Sequence, residues 1–146
     1  MAFEVPRGDL LTLETNEAPK PLGHYTQGIR LGDMIFVSGQ LPIRPDGTNT
    51  NDSPFEDQAE QALRNVVAII EAAGGSRESV VKTTAYIVDI ENWPTLNRVY
   101  SAVFGEWRPA RAIVPVPQLH FGYLIEIDAI GIVSEIYAQS NPNERA

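Results

Sequence analysis

The stretch PARAIVPVPQLHFGYLIEIDA, residues 109–129, joins an arginine to a glutamate through two runs of strand-forming residues. Arg111 stands at the start of the first run, and the second run carries carboxylates at the alternate positions Glu126 and Asp128. A guanidinium offers a fork of N–H donors that matches a carboxylate, and a glutamate can act as an acid or a base. If the two strands are neighbours, the stretch predicts a carboxylate-binding arginine beside an acid/base group.

The composition limits what the rest of the chain can form. Its 146 residues, 43% hydrophobic and 21% charged, are typical of one globular domain. We therefore expect a single domain over residues 1–146, with a core at about residues 10–133 and a polar tail over residues 134–146. The net charge of −8 would repel phosphate backbones and anionic lipids. We expect neither nucleic acid nor membrane as a partner.

The residue types that are absent narrow the chemistry further. The sequence has no cysteine, which excludes disulfides and thiolate nucleophiles. His24 and His120 lie far apart with no ligand-like spacing, so no metal site is expected. The first residues do not resemble a signal peptide, and no apolar run is long enough to span a membrane. The sequence therefore predicts a soluble, cytoplasmic protein.

Turn and periodicity signals predict the order β-β-β-α-β-α-β-β. Gly32-Asp33 separates the two strands of a hairpin. Residues 53–56, SPFE, predict a helix start with Ser53 as N-cap and a glutamate that completes a capping box. A second helix is expected to begin near Asn92, with Trp93 on its buried face.

This order predicts an α+β fold in which two helices cover one face of a mixed sheet. The third strand has apolar residues on both faces, because Ile35 and Val37 alternate with Met34 and Phe36. The uncovered face therefore needs a partner of its own. Burial against sister subunits around a symmetry axis is the expected solution.

Several motifs of the chain recur together in one known family. In chain order they are GHYTQG at 23–28, FVSGQLP at 36–42, EAAGGS at 71–76, VVKTTAYIVDIENWPTLNRVYSAVFGE at 80–106, PAR at 109–111 and LIEIDAIG at 124–131. In this order and spacing the sequence resembles the Rid family, also called YjgF/UK114, of small reactive-intermediate deaminases. The resemblance covers roughly residues 18–132.

The resemblance implies a chorismate-mutase-like fold, a homotrimer, and ligand sites in the clefts between subunits. It implies that the family's site is formed here by Arg111, Tyr25, Ser38, Gly39, Asn97 and Glu126. Family substrates are 2-imino or enamine acids, which are hydrolysed to 2-keto acids and ammonia without a cofactor. Arg111 would bind the substrate carboxylate, Glu126 would position water or carry a proton, and Tyr25 would bond to the intermediate.

Residues 119–123, LHFGY, depart from the loop that the family usually has at this place. If this loop lies near Arg111 in the trimer, His120, Phe121 and Tyr123 form an aromatic wall of the substrate site. Such a wall favours a larger or flatter acid, for example an aminomuconate-like enamine. A solvated loop position is the alternative for His120, and a surface turn is the alternative for Tyr25. At the level of function, the alternative is a non-catalytic trimer that binds a small carboxylic acid as a sensor or regulator.

Overall fold

The computed structural model describes residues 9–133, and within them the chain forms one six-stranded mixed sheet with two α-helices on one face. The elements are β1 (Leu10–Leu13), β2 (Gly28–Leu31), β3 (Met34–Gln40), α1 (Phe55–Ala72), β4 (Val80–Val88), α2 (Trp93–Phe104), β5 (Ala110–Val116) and β6 (Ile125–Ile132). The predicted α+β class, element order and helix placement are confirmed. The predicted polar tail lies outside the described residues.

The strands are ordered β1-β2-β3-β6-β4-β5 across the sheet. β4 and β5 are parallel and are joined through α2, whereas every other neighbouring pair is antiparallel. A parallel pair needs such a crossover, and here it leaves β5 at an edge of the sheet. The last strand, β6, then inserts between β3 and β4. The expectation that the strands of Arg111 and Glu126 are neighbours is therefore wrong, because β4 lies between them.

Helix α1 begins one residue later than predicted. Pro54 is the N-cap, and its carbonyl accepts the backbone N–H of Gln58 at 3.1 Å. The predicted capping box at Ser53 is wrong, since no side chain of the described residues caps this end. The Ser53 carbonyl is instead bonded by the side-chain amide of Gln58 at 2.9 Å. At the other end Gly74 takes φ +92°, which ends the helix with a conformation that glycine adopts without strain.

The two faces of the sheet differ sharply in burial. On β6, Ile125 and Ile127 are fully buried against the helices, while Glu126 and Asp128 project from the opposite, open face. On β3, Ile35 is likewise buried. The open face is also partly apolar, because Met34, Phe36, Val114 and Ile132 are each about two-fifths exposed. No helix among the described residues is long and apolar enough to cross a membrane.

Candidate functional site

A cavity of about 460 Å³ opens where three loops meet the open face of the sheet. Its lining includes six of the eight predicted site residues, Tyr25, Ser38, Gly39, His120, Phe121 and Glu126. The remaining walls come from residues 19–23, Gln27, Gln40, Leu41 and Ile43. The sequence therefore identified most of the polar and aromatic surface of this cavity, but not the proline-rich wall that faces it.

Glu126 is the acidic group of the cavity, and Gly39 leaves the space that its carboxylate occupies. The pairing of β3 with β6 is irregular between Val37 and Gln40, so Gly39 lies in a bulge directly beside the Glu126 carboxylate. A Cβ atom at Gly39 would collide with a carboxylate oxygen of Glu126, so a larger residue here would force the carboxylate to move. Burial, and to a smaller extent the neighbouring Asp128, raises the pKa of Glu126, whereas His120 opposes the rise.

Ser38 forms hydrogen bonds with the backbone around the cavity. Its hydroxyl donates to the carbonyl of Thr26 at 2.6 Å, and its backbone N–H donates to the carbonyl of Gln27 at 3.0 Å. These bonds tie the loop of Tyr25 to β3. Tyr25 is 52% exposed, and its hydroxyl oxygen accepts the N–H of Leu22 at 3.3 Å. Tyr25 thus lies on the cavity wall, and its role in a substrate site stays a prediction.

His120 and Phe121 belong to a short 3-10 turn, His120–Gly122, that precedes β6. The two rings lie 3.7 Å apart between centroids, at an angle of 42°. Phe121 adopts φ 60° and ψ 16°, a left-handed conformation that is uncommon for a bulky residue. The amide of Asn51 donates to the Phe121 carbonyl at 3.0 Å and supports this turn. Because of the turn, β6 begins at Ile125.

Two buried side-chain amides of α1 form hydrogen bonds with the backbone of segments that border the cavity. Gln58 accepts the N–H of Leu124 at 2.9 Å, and the Asn65 amide donates to the carbonyls of Leu41 at 3.1 Å and Ile43 at 2.8 Å. Both amides are fully buried. Sequence reasoning missed them, although one signal was available. Each lies at helical spacing among the apolar residues of α1, where an uncharged polar side chain needs a buried partner.

Arg111 lies on the other face of the sheet, against α2. Asn97 accepts an N–H of Arg111 at 3.2 Å. The guanidinium carbon lies 4.7 Å from the ring centroid of Tyr100 and 5.6 Å from that of Trp93, within the range of cation–π attraction. Trp93, Asn97 and Tyr100 recur at helical spacing, so one stripe of α2 supports the whole length of the arginine. The side chain borders a polar hollow of about 580 Å³.

The aromatic support of Arg111 is anchored in the core through Tyr100. The Tyr100 hydroxyl bonds to that of Thr83 at 2.8 Å, and burial raises the pKa of Tyr100 to about 12. The phenol is therefore neutral near neutral pH. Trp93 was predicted to be buried, but it is 42% exposed at the first turn of α2, where the guanidinium of Arg111 lies over its ring. Sequence reasoning missed this role for both rings.

The candidate residues thus form two groups within one chain. The arginine half-site contains Trp93, Asn97, Tyr100 and Arg111, and the glutamate half-site contains Tyr25, Ser38, Gly39, His120, Phe121 and Glu126. Arg111 is paired with Thr83 and Glu126 with Tyr86, so two strand spacings and three residues separate them, roughly 14 Å between Cα atoms. Their side chains also leave the sheet on opposite faces.

The two half-sites offer groups suited to organic acids. Arg111 can hold a carboxylate through paired N–H donors, and Glu126 provides a proton-transfer group in a partly apolar cavity. Within residues 9–133, no cluster of three or more His, Cys, Asp or Glu side chains is arranged to hold a metal ion. The fold and the two half-sites are those of a small α+β protein with an arginine fork on one face of its sheet and a partly buried carboxyl on the other.

The chain belongs to the endoribonuclease L-PSP family, the family of the YjgF and Rid proteins, whose sequence pattern matches residues 15–133. This confirms the resemblance noted above. A RutC family protein of Pyrococcus horikoshii is 44% identical over 116 residues, covering 80% of this chain and 92% of that protein. The 2-iminobutanoate/2-iminopropanoate deaminase of Escherichia coli is 42% identical over 126 residues, covering 83% and 96%.

Solved structures agree with this assignment. The crystal structure of Escherichia coli TdcF with bound serine superimposes with a TM-score of 0.81 at 39% identity, covering 85% of this chain and 99% of that one. The YjgF gene product of the same organism gives a TM-score of 0.80 at 41% identity, with the same two coverages. The mixed sheet with two helices is therefore the shared fold of the family.

Proposed function

We propose that the protein hydrolyses reactive 2-imino and enamino acids to 2-keto acids, with release of ammonia and without a cofactor. That the chain is an enzyme follows from its family, since relatives at 42% identity are named deaminases of 2-iminobutanoate and 2-iminopropanoate. The observation that carries the proposal for this chain is Glu126. It is a half-buried carboxyl of raised pKa in a cavity that a glycine has made room for.

The separation of the half-sites supports an assembled active site. A substrate of a few carbon atoms cannot reach Arg111 and Glu126 of one chain, because they lie on opposite faces of the sheet. We propose that the chain forms a homotrimer of the chorismate-mutase-like type, in which the arginine half-site of one subunit completes the glutamate half-site of the next. The apolar open face, with Phe36, Val114 and Ile132 exposed, supports burial against sister subunits.

In the assembled cleft Arg111 binds the substrate carboxylate and orients the imine. Asn97 and the two rings keep the guanidinium in place, and Glu126 takes a proton from water as the oxygen attacks the imine carbon. The new C–O bond forms while the C=N double bond becomes single. Proton transfer to nitrogen then allows the C–N bond to break, which gives a 2-keto acid and ammonium from one iminium ion and one water. An enamine substrate first tautomerises to the imine and is then hydrolysed by the same steps.

The aromatic wall bears on the choice of substrate. His120, Phe121 and Tyr25 line the cavity of Glu126, which supports an acid larger than iminopropanoate, and a specialised deaminase of an aminomuconate-like intermediate is one such case. The name endoribonuclease in the family description points to a different class of substrate. A net charge of −8 and an acid in the cavity disfavour an RNA backbone there.

The direct test is the release of ammonia from imines that an amino-acid oxidase generates in the assay. We expect the wild type to exceed the spontaneous rate and Arg111→Ala to fall back towards it. Arg108→Ala is a matched control, because Arg108 borders the same hollow from an exposed position. Equal rates for the wild type and Arg111→Ala would exclude the proposal. Tight binding of a carboxylic acid without turnover of any imine would favour the non-catalytic sensor.

A further inference from the structure

A second hollow, of about 450 Å³, adjoins the cavity of Glu126. Both are bordered by Pro19, Lys20, Leu22, Ile43 and Phe121, so the two spaces share one wall and one rim. The second hollow extends from this shared wall towards the loop at residues 45–49. The second space, which we name the tail hollow, therefore lies directly beside the cavity of Glu126, with Phe121 on their common border.

The surface of the tail hollow is mainly apolar. Leu22 is 65% exposed on its rim, and Ile43 and Pro45 form part of its sides. Tyr123 lies beneath them, almost fully buried. The Tyr123 hydroxyl donates to the Asn49 side-chain oxygen at 2.6 Å and accepts the N–H of Thr50 at 3.2 Å. Its polar atom is thereby satisfied, which leaves the ring as the part of Tyr123 that meets the hollow.

Phe121 stands between the two spaces in a conformation that the loop enforces. A bulky residue at φ 60° is held there only when its surroundings determine it. Here Asn51 bonds to the carbonyl of Phe121, and Tyr123 ties the following residues to the loop at residues 49–50. Phe121 as a whole is 47% exposed. Strain that keeps a large apolar ring at the junction of two hollows indicates a ligand contact.

We propose that the tail hollow binds the side chain of the substrate, so that this deaminase prefers imino acids with a long apolar or aromatic side chain. The imine carbon lies at Glu126, and the side chain passes Phe121 to rest on Leu22, Ile43 and Tyr123. This inference rests on the proposed function and adds the class of substrate. Each further methylene group that is buried against an apolar surface makes the binding free energy more favourable. These apolar side chains cannot pair with a second carboxylate, so the inference favours monocarboxylic imino acids over a dicarboxylic, aminomuconate-like substrate.

The test compares imines derived from alanine, norleucine and phenylalanine. We expect kcat/KM of the wild type to rise by about tenfold or more from the alanine-derived to the norleucine-derived imine. Pro45→Trp places a large ring in the tail hollow and should reduce this ratio towards one. Phe121→Ala removes the shared wall and should also lower it. Arg44→Trp is the matched control, because Arg44 is exposed and does not border the hollow, and it should keep the wild-type ratio.

Two results would overturn the inference while leaving the proposed function intact. One is turnover of the alanine-derived imine with no gain for longer chains. The other is a preference for the glutamate-derived imine that Lys20→Ala removes, since Lys20 on the rim would then bind a second carboxylate. If no imine is turned over, calorimetric measurement of ligand binding tests the tail hollow independently of catalysis. Tighter binding of 2-oxohexanoate than of pyruvate, lost in Pro45→Trp, would sustain the tail hollow, and equal affinities would reject it.

Discussion

The arginine half-site and the glutamate half-site are built in opposite ways. The first consists of side chains on regular elements, one stripe of α2 and the edge strand β5, with Arg111 stacked against Trp93 and Tyr100. The second is assembled from loops and a bulge, with Glu126 placed against Gly39. In the proposed active site, rigid elements would hold the group that binds the carboxylate common to all imino acids. Loops would surround the other end of the ligand, where substrates differ, so changes in the loops could alter substrate choice without disturbing Arg111.

The largest expected effect tests whether the two half-sites act across subunits. Arg111→Ala and Glu126→Gln should each lower kcat/KM by about a hundredfold or more, because each removes a charged partner of the bound substrate. When the two inactive chains are refolded together in equal amounts, about a quarter of the clefts should combine an intact arginine with an intact glutamate. Activity should recover to about that fraction of the wild type.

A site contained within one chain predicts a different outcome for this mixture. Each variant would then lack one essential group in every molecule, and co-refolding would restore nothing. Separately refolded samples that are mixed and assayed at once serve as the control for residual activity. Absence of recovery, with mixed trimers demonstrated by mass spectrometry, would refute the division of the site between subunits.

The next prediction concerns the bulge that places Glu126. Gly39→Ala should displace the carboxylate and lower kcat by about a hundredfold, since small misplacements of a catalytic group have effects of that size. Gly131→Ala is the informative contrast, because its Cβ would meet Ile70 and the Ser79 carbonyl in the core. It should cost about 1–3 kcal/mol of unfolding free energy with little change in kcat of the folded protein. Thermal melts and steady-state assays of both variants separate the two effects.

A smaller effect is expected in the pH dependence of stability. Because the pKa of Glu126 is raised in the folded chain, the folded state retains a proton that the unfolded state releases above a pKa near 4.5. Between that value and the raised pKa the folded state binds more protons, so the free energy of unfolding falls as pH rises. Urea unfolding across this range should show a flatter dependence for Glu126→Gln. An identical slope in both proteins would argue against a raised pKa.

The smallest expected effect sharpens the description of the arginine half-site. Trp93→Leu removes one of the two rings beside the guanidinium and should raise KM by roughly three- to tenfold, with kcat nearly unchanged. Trp93→Phe keeps an aromatic face and should recover most of the loss. A change confined to thermal stability, with KM unaffected in both variants, would reduce Trp93 to a packing residue.

The sequence predicted the helices, the strands and the fold class because those depend on local periodicity and turn residues. Six of the eight site residues proposed from the sequence line one cavity, although their catalytic and binding roles are still predictions. Local sequence signals could not predict the order of the strands in the sheet. The insertion of β6 between β3 and β4 depends on pairing between distant segments, and it is this insertion that separates Arg111 from Glu126. Trp93 was misjudged because helical spacing alone does not tell a buried face from its border.

Pro115 lies in β5, the strand at the outer edge of the sheet, opposite Ile87 of β4. Proline has no N–H to offer, so it interrupts the row of donors that an exposed edge strand presents to other chains. If the chain assembles as proposed, a newly made subunit meets its partners with this edge uncovered. A proline in the edge strand disfavours growth into β-aggregates during that interval, and it lies four residues from Arg111, which the proposed assembly would bring into use.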